Sequence, residues 1–125
     1  MLGIHFEQGK IFLSPITFSN LREIKKSPVL VISNEVYNST NDDIIVLAIT
    51  SNTKERNHII NISNDSLTKG SLLKVSRIKA DHVMKISKEI IEMELGMVKS
   101  EVQMLFQNLY PLSATKNNSF SELNF

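Results

Sequence analysis

The sequence predicts a small, mostly β barrel with a C-terminal helix. Short β-branched or apolar runs recur along the chain, polar segments separate them, and one late segment has the period of an amphipathic helix. With 125 residues, the chain has room for one such unit. Hydrophobic residues make up 42% and charged residues 22%, enough to build a core and too apolar for a disordered polymer.

The elements follow in order. Residues 10–13 and 28–33 read as strands separated by an exposed polar loop over 19–27. Pro28 suits the opening of the second strand, where no ladder partner is needed, and Val29, Leu30, Val31 and Ile32 have the continuous apolar character of a central strand. Residues 34–42 read as a polar turn, 44–50 as another buried strand, 51–57 as a hydrophilic loop and 58–62 as a shorter strand. After a turn at 68–70, residues 72–84 alternate. Val75, Arg77, Lys79, Asp81 and Val83 take one face, and Ile78, Ala80, His82 and Met84 the other. Residues 87–91 fit one helical turn and 92–98 a last strand. Ser100 is placed to cap a helix whose Val102, Leu105, Phe106 and Leu109 recur at helical spacing, with Pro111 as its stop. The domain is therefore assigned to residues 1–112, and 113–125, rich in Ser and Asn without a periodic apolar face, to a disordered tail.

Several chemistries are excluded at once. The absence of cysteine removes disulfides, thiolate zinc sites and cysteine nucleophiles. Gly3, Gly9, Gly70 and Gly96 are too scattered for a phosphate-cradling loop. His5, His58 and His82 lack metal-ligand spacing, so neither metal nor cofactor is expected. No apolar run approaches the roughly 20 residues of a membrane span, and no leader pattern opens the chain, so a soluble cytoplasmic protein is expected. The net charge is only +1, but residues 69–88 hold six basic groups and one acid, whereas 89–101 hold four acids and one lysine. Charge is segregated along the chain.

Within the basic stretch, Lys79 and Asp81 stand two apart on a strand, which sets an ammonium and a carboxylate side by side. Spacing alone fits a solvent-exposed ion pair worth about 0–1 kcal/mol as well as a reactive pair.

Four stretches in order add to this: Gly9 with residues 10–13, Ser27 with 28–33, Leu47 through Ser51, and Lys79-Ala80-Asp81 through Ile86 with Leu95-Gly96. Together they resemble the MazF/PemK toxin family over roughly residues 9–112. The resemblance implies an SH3-like barrel of the CcdB/MazF type, a homodimer, and a cognate antitoxin that covers the site. It further implies a metal-independent, sequence-selective endoribonuclease acting on single-stranded mRNA. In that chemistry the ribose 2′-hydroxyl attacks phosphorus, leaving a 2′,3′-cyclic phosphate and a 5′-hydroxyl.

By the same resemblance Asp81 takes the place of the base, Lys79 that of the arginine in the family's Arg-x-Asp pair, and Thr50 that of a strand-end threonine facing phosphate. Thr50 is equally a plain strand end. Ser27 departs from the family: many members carry arginine there, and Lys26 or Arg22 would have to supply that cation. Arg22, Lys25, Lys26 and Ser27 on the first loop, Ser51, Lys54 and Arg56 on a later one, and Arg77 could flank an RNA groove or be ordinary solvated residues. Tyr37 is a candidate for stacking on a base. The alternative is a non-catalytic module on the same barrel, either an RNA binder or a protein-binding gyrase poison like CcdB.

Overall fold

The structure is a computed structural model that describes residues 4–17, 24–52 and 58–107. Seven strands form one antiparallel sheet: β1 Lys10–Thr17, β2 Ile24–Val31, β3 Asp43–Thr50, β4 Ile59–Ile62, β5 Leu67–Gly70, β6 Ser76–Ser87 and β7 Met93–Val98. Among the described residues, helix α1 Glu35–Thr40 connects β2 to β3, and helix α2 Ser100–Gln107 follows β7. The order across the sheet is β4-β6-β3-β2-β1-β7-β5.

This order corrects the expected barrel, because the sheet is not closed. β4 and β5 are its two edges, each only four residues long, and their ladders run to β6 and β7. A barrel needs a continuous ladder between first and last strands, and no such ladder joins these two among the described residues. The chain passes from β4 to β5 through a 3-10 turn at Asn64–Ser66, fixed by reciprocal Ser63 and Ser66 contacts. Ile62 and Leu67, one from each edge, nevertheless pack into the same core.

The middle strands are buried on both faces, which is why they read as unbroken apolar runs. On β3, Ile45, Leu47 and Ile49 face a cluster with Ile11, Leu30, Ile78 and Phe106, while Ile44 and Val46 face a second with Phe12, Val29, Val31 and Ile86. Helix α2 supplies Val102 and Phe106 to the first cluster. Ile4, Phe6 and Ile91 pack on the second. Leu105, assigned above to the apolar stripe of α2, is 54% exposed, and Ser100 lies inside the helix rather than capping it. Leu109 and the segment 113–125 lie outside the described residues.

Three local expectations change. β2 begins at Ile24, so Lys25, Lys26 and Ser27 belong to a strand paired with β1 rather than to a loop. Among the described residues this hairpin has no β3 partner beyond Val29, and Pro15 and Pro28 sit where the ladder is one-sided and a missing N–H is cheap. The 34–42 turn contains α1: Asn34 caps it by accepting from the Tyr37 N–H at 2.9 Å. This helix buries Tyr37 at 8% exposure, which removes it as a stacking platform. The turn at 68–70 is strand β5.

β5 can lie close to β7 because Gly70 faces Gly96. A Cβ on Gly70, whose φ is +81°, would stand 2.1 Å from the Leu95 carbonyl oxygen. Lys10 and Lys69 flank β7, both opposite Met97, and close on Glu94 at 3.1 and 3.0 Å. Lys10 is 6% exposed and gives a further hydrogen bond to the His5 carbonyl at 2.9 Å. Burial pushes the Glu94 carboxyl up, but the hydrogen bonds and charges of Lys69 and Lys10 outweigh it, holding the group below the usual glutamate range.

The backbone clash predicts that Gly70→Ala costs about 1–3 kcal/mol in urea denaturation, because the atoms it meets cannot rotate away. Glu94→Ala should cost about 1–2 kcal/mol near pH 7, the figure being limited by the carboxylate's partial exposure. A carboxyl held low in the fold stabilises above its unfolded value of about 4.3. That contribution is lost as pH falls through the lower folded value. The gap between wild type and variant should therefore be full at pH 6 and vanish at strongly acidic pH; a gap that persists there contradicts the assignment.

Candidate functional site at the β6 bulge

β6 does not pair evenly with β3. Leu47 lies opposite Val83 and Ile49 opposite Ile78, so residues 79–82 of β6 are set against the single Ala48 of β3. Because the excess is odd, β6 exchanges faces across it. Met84 and Ile86 pack with the Phe12 cluster, whereas Ile78 joins the Phe106 cluster. The expectation that Ile78 and Met84 share a face is thus corrected, and the reason is this bulge.

The bulge gathers polar residues at one end of the sheet. Arg77 is the direct cross-strand partner of both Thr50 on β3 and Asn61 on β4, so the three form a row over three strands, on the face opposite the Ile78 side chain. Partners in such a row have Cβ atoms about 4.5–5.5 Å apart. Lys79, two residues along β6 and opposite Ile59, continues the row on the same face. Asp81 follows inside the bulge. Ala80 between them is buried, Lys79 is half-buried and Asp81 is exposed. Among the described residues Asp81 takes part in no ion pair. The Thr50 hydroxyl accepts from the Asn52 N–H at 3.0 Å, which fixes it at the strand end and leaves its proton to donate.

The remaining sequence candidates scatter. Ser51 is exposed just beyond Thr50. Ser27 pairs with Ser14; carrying the β2–β3 register two residues past Val29 and Ala48 would bring Ser27 beside Thr50, but the ladder stops next to Pro28. Lys25 and Lys26 lie on the β1–β2 hairpin, where Lys26 reaches Glu92 at 3.1 Å. Arg22, Lys54 and Arg56 lie outside the described residues. Asn61 was not singled out from the sequence, where nothing distinguishes it from other asparagines; only the β4–β6 register brings it to Arg77.

Chemically, the row offers two cations, a hydroxyl and a nearby carboxylate on an open surface, an arrangement fitted to an extended polyanion rather than an enclosed small molecule. A groove of about 350 Å³ beside the 3-10 turn, lined by Asn64, Asp65 and residues 72–75, contains none of these groups. Among the described residues no cluster of three His, Asp or Glu side chains could hold a metal. No helix among them is long and apolar enough to cross a membrane.

Comparison with known proteins bears on the fold and the family. Among solved structures the fold is similar to an endoribonuclease in complex with its cognate antitoxin from a Mycobacterial species, with TM-score 0.63 and 14% identity over 86% of this chain and 92% of that one. It is also similar to the Mycobacterium tuberculosis toxin MazF-mt6, with TM-score 0.63 and 16% identity over 79% and 89%. A third likeness is to a MazE-MazF structure from Deinococcus radiodurans, with TM-score 0.61 and 17% identity over 82% and 93%. At these identities the likeness concerns the fold alone. No curated protein matches the chain. The family described as PemK-like, MazF-like toxin of type II toxin-antitoxin system matches residues 7–108, most of the sequence, and the chain belongs to that family.

Proposed function

We propose that this toxin is a metal-independent endoribonuclease that cuts single-stranded mRNA at selected sequences, acts as a homodimer, and is held in check by a cognate antitoxin covering the bulge. The observation that carries this reading is the placement of Lys79 and Asp81 on β6 directly after Arg77, whose ladder partner is Thr50.

RNA carries its own nucleophile. The 2′-hydroxyl oxygen bonds to the adjacent phosphorus, the bond to the 5′-oxygen breaks, and no metal-activated water is required. The protein must take the 2′ proton, hold the charge that grows on the phosphoryl oxygens, and let the 5′-oxygen leave. Asp81, exposed and in no ion pair among the described residues, takes the proton. Lys79 and Arg77 hold the charge, and the Thr50 hydroxyl donates to a phosphoryl oxygen. Lysine in the first of these positions is a point charge without the bidentate fork of arginine, so it constrains the phosphate less.

One observation favours a second reading. Ser27 brings a hydroxyl where a strand-borne guanidinium would otherwise reinforce the site, and with fewer cations the same surface would bind RNA without cutting it.

The test is incubation of the pure protein with a long single-stranded RNA in EDTA, followed by mapping of the ends. Discrete cuts with 5′-hydroxyl ends are expected, with kcat reduced about 100-fold or more by Asp81→Ala. Intact RNA bound in a salt-sensitive manner would establish the second reading instead. For binding measured against salt, Arg77→Ala and Lys79→Ala should each make the log–log slope shallower by about 0.7, the value for one phosphate contact on a single strand.

A further inference from the structure

His58 is the one non-glycine residue with positive φ, +56°, among the described residues. It immediately precedes β4, and its carbonyl accepts a hydrogen bond from the Ala80 N–H at 2.8 Å, which ties it to the bulge. The β4–β6 register, with Ile59 opposite Lys79, places His58 opposite Ala80. In a strand conformation its side chain would follow Ile60 and Ile78 toward the core around Phe106. The left-handed backbone redirects it, and the residue is exposed. Its imidazole makes no hydrogen bond or ion pair among the described residues. Such a backbone is unfavourable for a residue with a side chain and persists where surrounding contacts hold it; here the Ala80 N–H anchors the His58 carbonyl. The outcome is a proton-exchanging residue exposed to solvent at the ladder position opposite Ala80, the residue between Lys79 and Asp81.

We propose that His58 is a catalytic residue, the proton donor to the departing 5′-oxygen; this rests on the endoribonuclease reading above. The steps balance. Asp81 removes the 2′ proton as the 2′-oxygen bonds to phosphorus, the bond from phosphorus to the 5′-oxygen breaks, and the imidazolium of His58 gives its proton to that oxygen, ending neutral. Imidazole is suited to the task because it exchanges protons near neutral pH, whereas an ordinary lysine gives its proton up only in alkali. The charged and titratable groups on β6, the strand paired with β4, are Arg77, Lys79, Asp81, His82 and, beyond the bulge, Lys85, which pairs with Asp43 at 3.7 Å.

The test compares wild type with His58→Asn, since asparagine tolerates the left-handed backbone and keeps the fold. Single-turnover cleavage of one RNA should fall about 100-fold with little change in KM, and the alkaline limb of the pH–rate profile should disappear. A second substrate carries sulfur in place of the bridging 5′-oxygen, so that its thiolate leaves without protonation. On it the variant should recover to within a few fold of wild type, a rescue that a merely structural role would not give. An active wild type whose pH profile is unmoved by His58→Asn, or a defect the sulfur substrate does not rescue, overturns the assignment of His58 alone. A wild type that cleaves no RNA overturns both this assignment and the nuclease reading.

Discussion

The site depends on a mismatch in strand pairing. Against one residue of β3, Ala48, β6 spends residues 79–82. An even excess would have kept Ile78 and Ile86 on one face of the sheet; the odd one lets a single strand serve both cores, with Ile86 in the Phe12 cluster and Ile78 in the Phe106 cluster. Both alternations are satisfied, and the cost is a stretch of backbone that leaves the β3 ladder. That stretch carries Lys79 and Asp81. The bulge therefore settles a packing conflict and at the same time releases a short polar segment from the β3 ladder, leaving its first residues to β4 and His58, as bulges beside functional surfaces do.

A second constraint keeps the far side of the sheet in place. β5 has only four residues, and its hold on β7 comes from the Gly70–Gly96 approach and from Glu94 clamped between Lys10 and Lys69. Lys10 is buried, so its ammonium would be costly without that carboxylate. The sheet thus has one edge fixed by tight backbone contact and ion pairing, and another, β4, fixed through β6. Neither edge completes a ring, and both still deliver a residue, Leu67 and Ile62, to the same core.

Much of this was legible in the sequence because it is periodic. The doubly buried strands β2 and β3 show as continuous apolar runs, the last strand and helix stand near 92–98 and 100–107, and the alternation of 76–87 survives locally on either side of the bulge. What was not legible is relational. No pattern in residues 79–82 announces that they face one residue, because that count belongs to the partner strand. The openness of the sheet was hidden for the same reason: seven short strands are compatible with closure, and only the pairing of β4 and β5 decides it. Helix α1 was missed because six residues give too little periodicity, although Asn34 before them is a good capping residue. Of the site, Thr50, Arg77, Lys79 and Asp81 were named from the sequence, while Asn61 and His58 became visible only through the β4–β6 register and one positive φ.

The polar row is not a pocket, and this bears on which substrates it can discriminate. A concave apolar site reads shape, whereas an open row of cations reads the spacing of charges and leaves bases free to turn outward. Thr50, Arg77 and Asn61 lie across the strands, about 5 Å apart from one to the next, while Arg77 and Lys79 lie along one strand at roughly 7 Å. The second spacing is close to that of successive phosphates in an extended single strand. A backbone running along β6 would meet Arg77 and Lys79 in turn and bring its ribose toward Asp81. A rigid duplex would have to match whatever local bend a bulge introduces, and a flexible strand need not. On the proposed reading, an unpaired polyanion suits this surface for the same reason that the site is open: Thr50, Arg77, Asn61 and Lys79 are arranged by the ladder.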